Sequence, residues 1–133
     1  MVTIPAKKRE RIPLPDDAVV VRGGVLPTEK TIEAAQKCHA QKRIWALSGA
    51  SRVGEPAEAI AEQSHRIWSY PQMSVGVAGE LREAGFPPYF DGPGDHVQID
   101  LPGEPDLGMC ETLRKLMPAR SNPYYRGRRR SHD

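Results

Sequence analysis

Three polar residues stand where two apolar runs of the sequence end. Arg22 follows the β-branched run 18–21, and Ser48 and Ser51 follow the run 44–47. A guanidinium can pair with a pyrophosphate, and a serine hydroxyl can hydrogen-bond to an amide. A reaction that develops positive charge on a sugar also needs a carboxylate, and Glu104, after the strand-like run 96–101, is our choice for that role. Arg22, Ser48, Ser51 and Glu104 are therefore candidate catalytic residues for dinucleotide chemistry.

The order of these parts resembles the arginine–serine–glutamate class of ADP-ribosyltransferases. The parts are Arg22-Gly23-Gly24 at the end of one strand, Ser48-Gly49-Ala50-Ser51 at the end of a second, and the Ala-rich stretch 58–63. The resemblance covers residues 18–63 and implies NAD as cofactor, with the arginine at the dinucleotide and the serine shaping the nicotinamide pocket. The family's acidic doublet is absent here. The alternative for Arg22 is an ion pair with Asp16 or Asp17.

His96 is a further candidate for catalysis. It opens a strand-like run, with Asp95 beside it and Asp100 on the same run. A histidine with carboxylate neighbours can act as a general base or bind a phosphate. The alternative is a solvated side chain at a junction between a turn and a strand.

The positive charges concentrate at the two ends of the chain. Residues 1–11 carry four Lys or Arg against one Glu, and residues 118–133 carry five Arg against one Asp. Since the net charge is +2, residues 12–117 carry −5. Phosphate contacts dominate nucleic-acid affinity, so we expect RNA or DNA to meet the arms rather than the body. The candidate contacts are Arg120, Tyr124, Tyr125, Arg126, Arg128, Arg129 and Arg130, where tyrosine stacks on bases and arginine pairs with phosphates.

Three functions therefore stay open. The first is a small protein that binds nucleic acid through its basic arms without a cofactor. The second is an ADP-ribosyltransferase-like enzyme or toxin that uses NAD. The third is a non-catalytic protein-interaction or accessory protein, in which Tyr124 and Tyr125 only anchor the last turn of the chain.

Cysteine usage and hydropathy bound the class of protein. Cys38 and Cys110 are too few for a disulfide framework, and no zinc-type spacing of Cys and His occurs, so we expect no metal. No apolar run approaches the roughly 20 residues of a spanning helix. We expect a reduced cytoplasmic protein that does not enter the membrane.

The elements that must position these residues predict a small single α+β domain of about four strands and four helices. We expect a flexible basic N-terminal arm over 1–15, the domain over 16–117 and a basic C-terminal arm over 118–133. Periodicity and turn residues predict strands at 18–22 and 44–47, helices at 29–43, 55–68, 76–84 and 107–117, and a hairpin at 87–101. Asp106 is the expected N-cap of the last helix.

Overall fold

A computed structural model describes residues 11–92 and 94–127 of the chain. In chain order the elements are β1 (Ile12–Pro13), β2 (Val19–Gly23), α1 (Thr28–Lys42), β3 (Ala46–Ala50), α2 (Ala57–Gln63), β4 (Gln72–Val77), α3 (Ala78–Glu83), β5 (Pro88–Phe90), β6 (His96–Asp100), α4 (Leu107–Leu116) and β7 (Ala119–Ser121). None of the helices in these two ranges is both long and apolar enough to cross a bilayer.

The strands form one antiparallel sheet in the order β1-β5-β6-β3-β2-β4-β7. The predicted count of about four strands is wrong, because the described residues contain seven. The two outermost strands are only two and three residues long. Such short edge strands are held by backbone pairing to β5 and β4, so their side chains carry no period-two pattern to detect.

Each of the two segments predicted as arms contributes one short strand to this sheet. β1 lies within the segment expected as the N-terminal arm, and β7 lies within the one expected as the C-terminal arm. The predicted boundaries after residues 15 and 117 therefore fall between elements of one sheet. Residues 1–10 and 128–133 lie outside the described part of the chain.

β2 lies inside the sheet, between β3 and β4, as its unbroken apolar run predicts. Val20 and Val21 point to opposite faces and are both fully buried. One face packs against α1, α3 and α4 in a cluster that includes Leu47, Leu81 and Leu113. The other face packs against α2 in a second cluster that includes Ile60, Ile67, Met73 and Ala50, with the partly buried Tyr124 against it.

Side-chain hydrogen bonds hold the first residues of α4 and α1. Asp106 caps α4 as predicted, since its side chain accepts a hydrogen bond of 2.8 Å from the Met109 amide. Pro27 precedes α1, and the hydroxyl of Thr28 instead accepts a hydrogen bond of 2.9 Å from Arg114 of α4. This contact ties the start of α1 to α4 and fixes the loop that follows β2.

Candidate functional site

The site begins where two central strands separate. β2 and β3 pair through a single register position, Val21 with Ala50, whereas β2 pairs with β4 at five positions. Beyond that position a side chain joins the two strands in place of backbone pairing. Nη1 of the Arg22 guanidinium donates a hydrogen bond of 2.7 Å to the carbonyl oxygen of Ser48. Arg22 therefore bridges the gap between the strands and is held at its mouth.

A cavity of about 230 Å³ opens at this gap. It is lined by Arg22, Gly23, Ser48, Gly49, Arg66, Ile67 and Tyr70. No carboxylate is among these residues, and within residues 11–92 and 94–127 no carboxylate oxygen lies within 4.0 Å of the guanidinium of Arg22 or Arg66. Two arginines therefore face one cavity without an acidic partner in the described part of the chain.

Burial makes the charge of Arg22 costly. Loss of water lowers the pKa of Arg22 from its ordinary value, and the nearby Tyr70 offsets part of that effect. An arginine nevertheless keeps its proton in proteins. A half-buried cation without a counter-charge is stabilised by an anion that enters the cavity. The electrostatics of this cavity therefore favour a phosphate or a carboxylate ligand.

Tyr70 forms the side of the cavity and depends on two glycines. A Cβ atom at Gly23 would overlap the Tyr70 ring, and one at Gly24 would lie 3.2 Å from its Cδ1 atom. Gly24 also has a φ of +81°, which favours glycine. The ring therefore lies against the Gly23-Gly24 backbone, and it is still 43% exposed. The sequence predicts only a turn at this glycine pair. In the structure the absence of side chains at these two residues makes room for the Tyr70 ring.

A second cavity of about 440 Å³ adjoins the first. Arg22, Gly23 and Tyr70 line both cavities. The second is otherwise lined by apolar Val25, Pro27 and Ala34, by the acidic Glu33, and by Lys30 and Lys37 of α1. Glu33 and Lys37 form an exposed pair at 3.8 Å. We call the two joined cavities the Arg22 cleft.

The predicted catalytic residues do not all meet at this cleft. Arg22 and Ser48 line it together. Ser51 is buried, and its hydroxyl donates a hydrogen bond of 2.5 Å to the Val19 carbonyl, so the hydroxyl is engaged within the sheet. Glu104 is exposed in the turn after β6 and lines neither cavity. The cleft thus has the expected cation and serine, and no acidic residue in its first cavity.

His96 lies apart from the cleft with a different partner from the expected ones. Its Nδ1 contacts the carboxylate of Asp91, a residue that is 7% exposed. The same carboxylate lies 3.5 Å from Nζ of Lys42. Asp100, expected beside His96, instead pairs with Arg11 at 2.6 Å. This cluster around the buried Asp91 carboxylate ties the end of α1 to the turn before β6.

The described part of the C-terminal segment packs on the connector between α2 and β4 (residues 64–70, the 64–70 connector). The buried side chain of Asn122 donates to the carbonyls of Ile67 and Tyr70 at 3.0 and 2.9 Å, and accepts from the Tyr124 amide. The guanidinium of Arg126 lies 3.5 Å from the centre of the Trp68 ring. This segment therefore stays beside the connector that carries Arg66 and Tyr70.

The residues of this segment that were predicted to contact nucleic acid differ in how accessible they are to a ligand. Tyr124 packs against the second hydrophobic cluster, which agrees with the anchoring alternative, whereas Tyr125 is exposed. Arg120 forms an exposed pair with Glu58 at 3.5 Å. Arg128, Arg129 and Arg130 lie outside the described residues, and they follow Gly127 directly in the chain.

Sequence reasoning missed four residues of the cleft: Lys30, Lys37, Arg66 and Tyr70. The available signal was the stretch 65–70, His-Arg-Ile-Trp-Ser-Tyr, which mixes basic and aromatic residues. The apolar spacing predicts a helix over 55–68, whereas α2 ends at Gln63. Only the tertiary fold brings this connector to the mouth of the gap between β2 and β3.

Comparison of the chain with protein-family models, with curated proteins and with solved structures finds no match. Within the two described ranges, no three His, Cys, Asp or Glu side chains group in a way that could hold a metal ion. The function must therefore be inferred from the residues of the cleft itself.

Proposed function

We propose that this protein binds nucleic acid through a basic face made of the Arg22 cleft and the C-terminal arm. The observation that carries the proposal is the pair of guanidiniums, Arg22 and Arg66, lining one cavity without a carboxylate. Protein sites that bind phosphate rely on such charge-assisted donors. The sequence-based expectation placed nucleic acid on the arms alone, and the cleft adds a contact on the body of the protein.

The arrangement supports a polyanion rather than a single small anion. Lys30 and Lys37 add positive charge beside Arg22 along α1, where Lys37 also pairs with Glu33 at 3.8 Å. On the other side, the segment that ends at Gly127 is bonded to the 64–70 connector, and three consecutive arginines follow it in the sequence. Several cations that line one cleft suit a chain of phosphates.

The transferase hypothesis stays a prediction. Arg22 and Ser48 share a cavity, as that activity requires, but the first cavity has no acidic residue among the described side chains that line it. NAD that bound there would raise the melting temperature, and Arg22→Ala would abolish the increase. The protein-interaction hypothesis likewise stays a prediction, and no particular surface favours it.

Equilibrium binding of a fluorescein-labelled 12-nucleotide RNA or DNA, measured by anisotropy between 50 and 300 mM KCl, tests the proposal. We expect binding that weakens steeply with salt, and that weakens further with Arg66→Ala or with Arg128, Arg129 and Arg130 all changed to Ala. The matched control is Arg52→Ala, which also removes one charge but from a pair with Glu55 outside the cleft. Absence of binding at micromolar protein in 50 mM KCl would overturn the proposal.

A further inference from the structure

The Arg22 cleft combines two arginines with a partly exposed aromatic ring. The Tyr70 ring contacts the Gly23-Gly24 backbone, and the residue is still 43% exposed. Tyr70 also lines both cavities, together with Arg22. A flat ligand group placed against the exposed part of this ring would therefore have a guanidinium beside it.

The larger cavity suits such a group. Its volume of about 440 Å³ falls in the range of small-molecule sites, roughly 300–1,000 Å³. Val25, Pro27 and Ala34 give it an apolar wall, and Lys30 and Lys37 stand on the same side. A nucleotide within a strand has a base with apolar faces and a phosphate on each side, which matches a cavity that combines apolar residues with cations.

We propose that the Arg22 cleft accepts one unpaired nucleotide, with its base stacked on Tyr70 and its two flanking phosphates paired with Arg22 and Arg66. This inference rests on the proposed function and narrows it to single-stranded nucleic acid. Within a duplex both faces of every base except the terminal ones are already stacked, so an interior base can cover Tyr70 only if it leaves the helix. The cleft therefore selects single strands, loops or ends over continuous duplex.

The experiment compares a 12-nucleotide single strand with the same sequence as a duplex, at one salt concentration. A 2-aminopurine in the strand reports stacking through loss of its fluorescence. We expect the single strand to bind about 10-fold more tightly, which is the scale of one base–aromatic stack. Tyr70→Leu should remove that preference and the fluorescence loss, and Tyr70→Phe should keep both.

Tyr89→Leu is the control, since Tyr89 is an aromatic residue of β5 that carries Arg11 over its ring, 4.1 Å from the centroid and outside the cleft. Equal affinity for single strand and duplex in the wild-type protein would overturn the inference and leave the proposed function standing. A Tyr70→Leu protein that retains the preference and the fluorescence loss would do the same. If neither nucleic acid binds, the proposed function itself fails.

Discussion

Replacing Arg66 by alanine should make nucleic-acid binding less dependent on salt concentration, because one cation that pairs with a phosphate is lost. Arg66 is exposed, and its side chain makes no hydrogen bond or ion pair with the described residues, so its loss leaves the core intact. Each phosphate contact with a single strand contributes roughly 0.7 to the slope of log K against log salt. If Arg22, Arg66 and the three terminal arginines each neutralise one phosphate, the slope is about −3.5, and Arg66→Ala brings it to about −2.8.

The assay is a series of anisotropy titrations from 50 to 200 mM KCl, over which the wild-type affinity should fall about 130-fold and that of Arg66→Ala about 50-fold. Arg22→Lys is an informative partner, because it keeps the charge but cannot both donate to Ser48 and grip a phosphate with a planar fork. Its slope should match the wild type while its affinity falls at every salt concentration. An Arg66→Ala slope equal to the wild-type slope would refute the assignment of Arg66 to a phosphate.

Three further predictions concern the stability of the fold that holds the cleft. Asn122→Ala removes the side-chain donor to the Tyr70 carbonyl, one of two donors to the Ile67 carbonyl and the acceptor of the Tyr124 amide. It should cost about 3 kcal/mol of unfolding free energy in urea titrations; a loss below about 0.5 kcal/mol would contradict the anchoring role. Gly23→Ala should displace the Tyr70 ring and destabilise the protein by about 1–3 kcal/mol, seen as a lower melting temperature together with lost single-strand preference; unchanged values of both would contradict the packing. Burial raises the pKa of the Cys38 and Cys110 thiols above the ordinary value of 9.0. The unfolded chain then loses these protons first, so stability should fall as the pH rises through 9.0, and the iodoacetamide reaction of the folded protein should be half-maximal only above that pH.

The central elements of the fold could be predicted because each carries its own local signal. The β-branched run at residues 19–21 predicts a central strand, and the Asp106 cap predicts the start of α4. β1 and β7 could not be predicted, since Ile12–Pro13 and Ala119–Ser121 become strands only when β5 and β4 offer their edges. The count of strands therefore depended on tertiary pairing that no short window of sequence contains.

The candidate site also combines residues that have a local sequence signal with residues that only the tertiary fold brings together. Arg22 and Ser48 could be selected because each stands at the end of a strand, and the fold brings them into one cavity. Ser51 looks equivalent in sequence, yet the alternation of the chain turns its hydroxyl into the sheet. Arg66 and Tyr70 arrive from a connector whose position depends on Asn122, more than fifty residues away in the chain.

The most direct test of the cleft is an NMR titration of the ¹⁵N-labelled full chain with a 12-nucleotide single strand. The side-chain Nε–H signals of the arginines report on each guanidinium separately. We predict saturable shifts at Arg22 and Arg66, accompanied by the backbone amide of Gly23, with Arg52 and Arg114 unchanged. Shifts confined to other arginines, with Arg22 and Arg66 unmoved at saturation, would contradict the account.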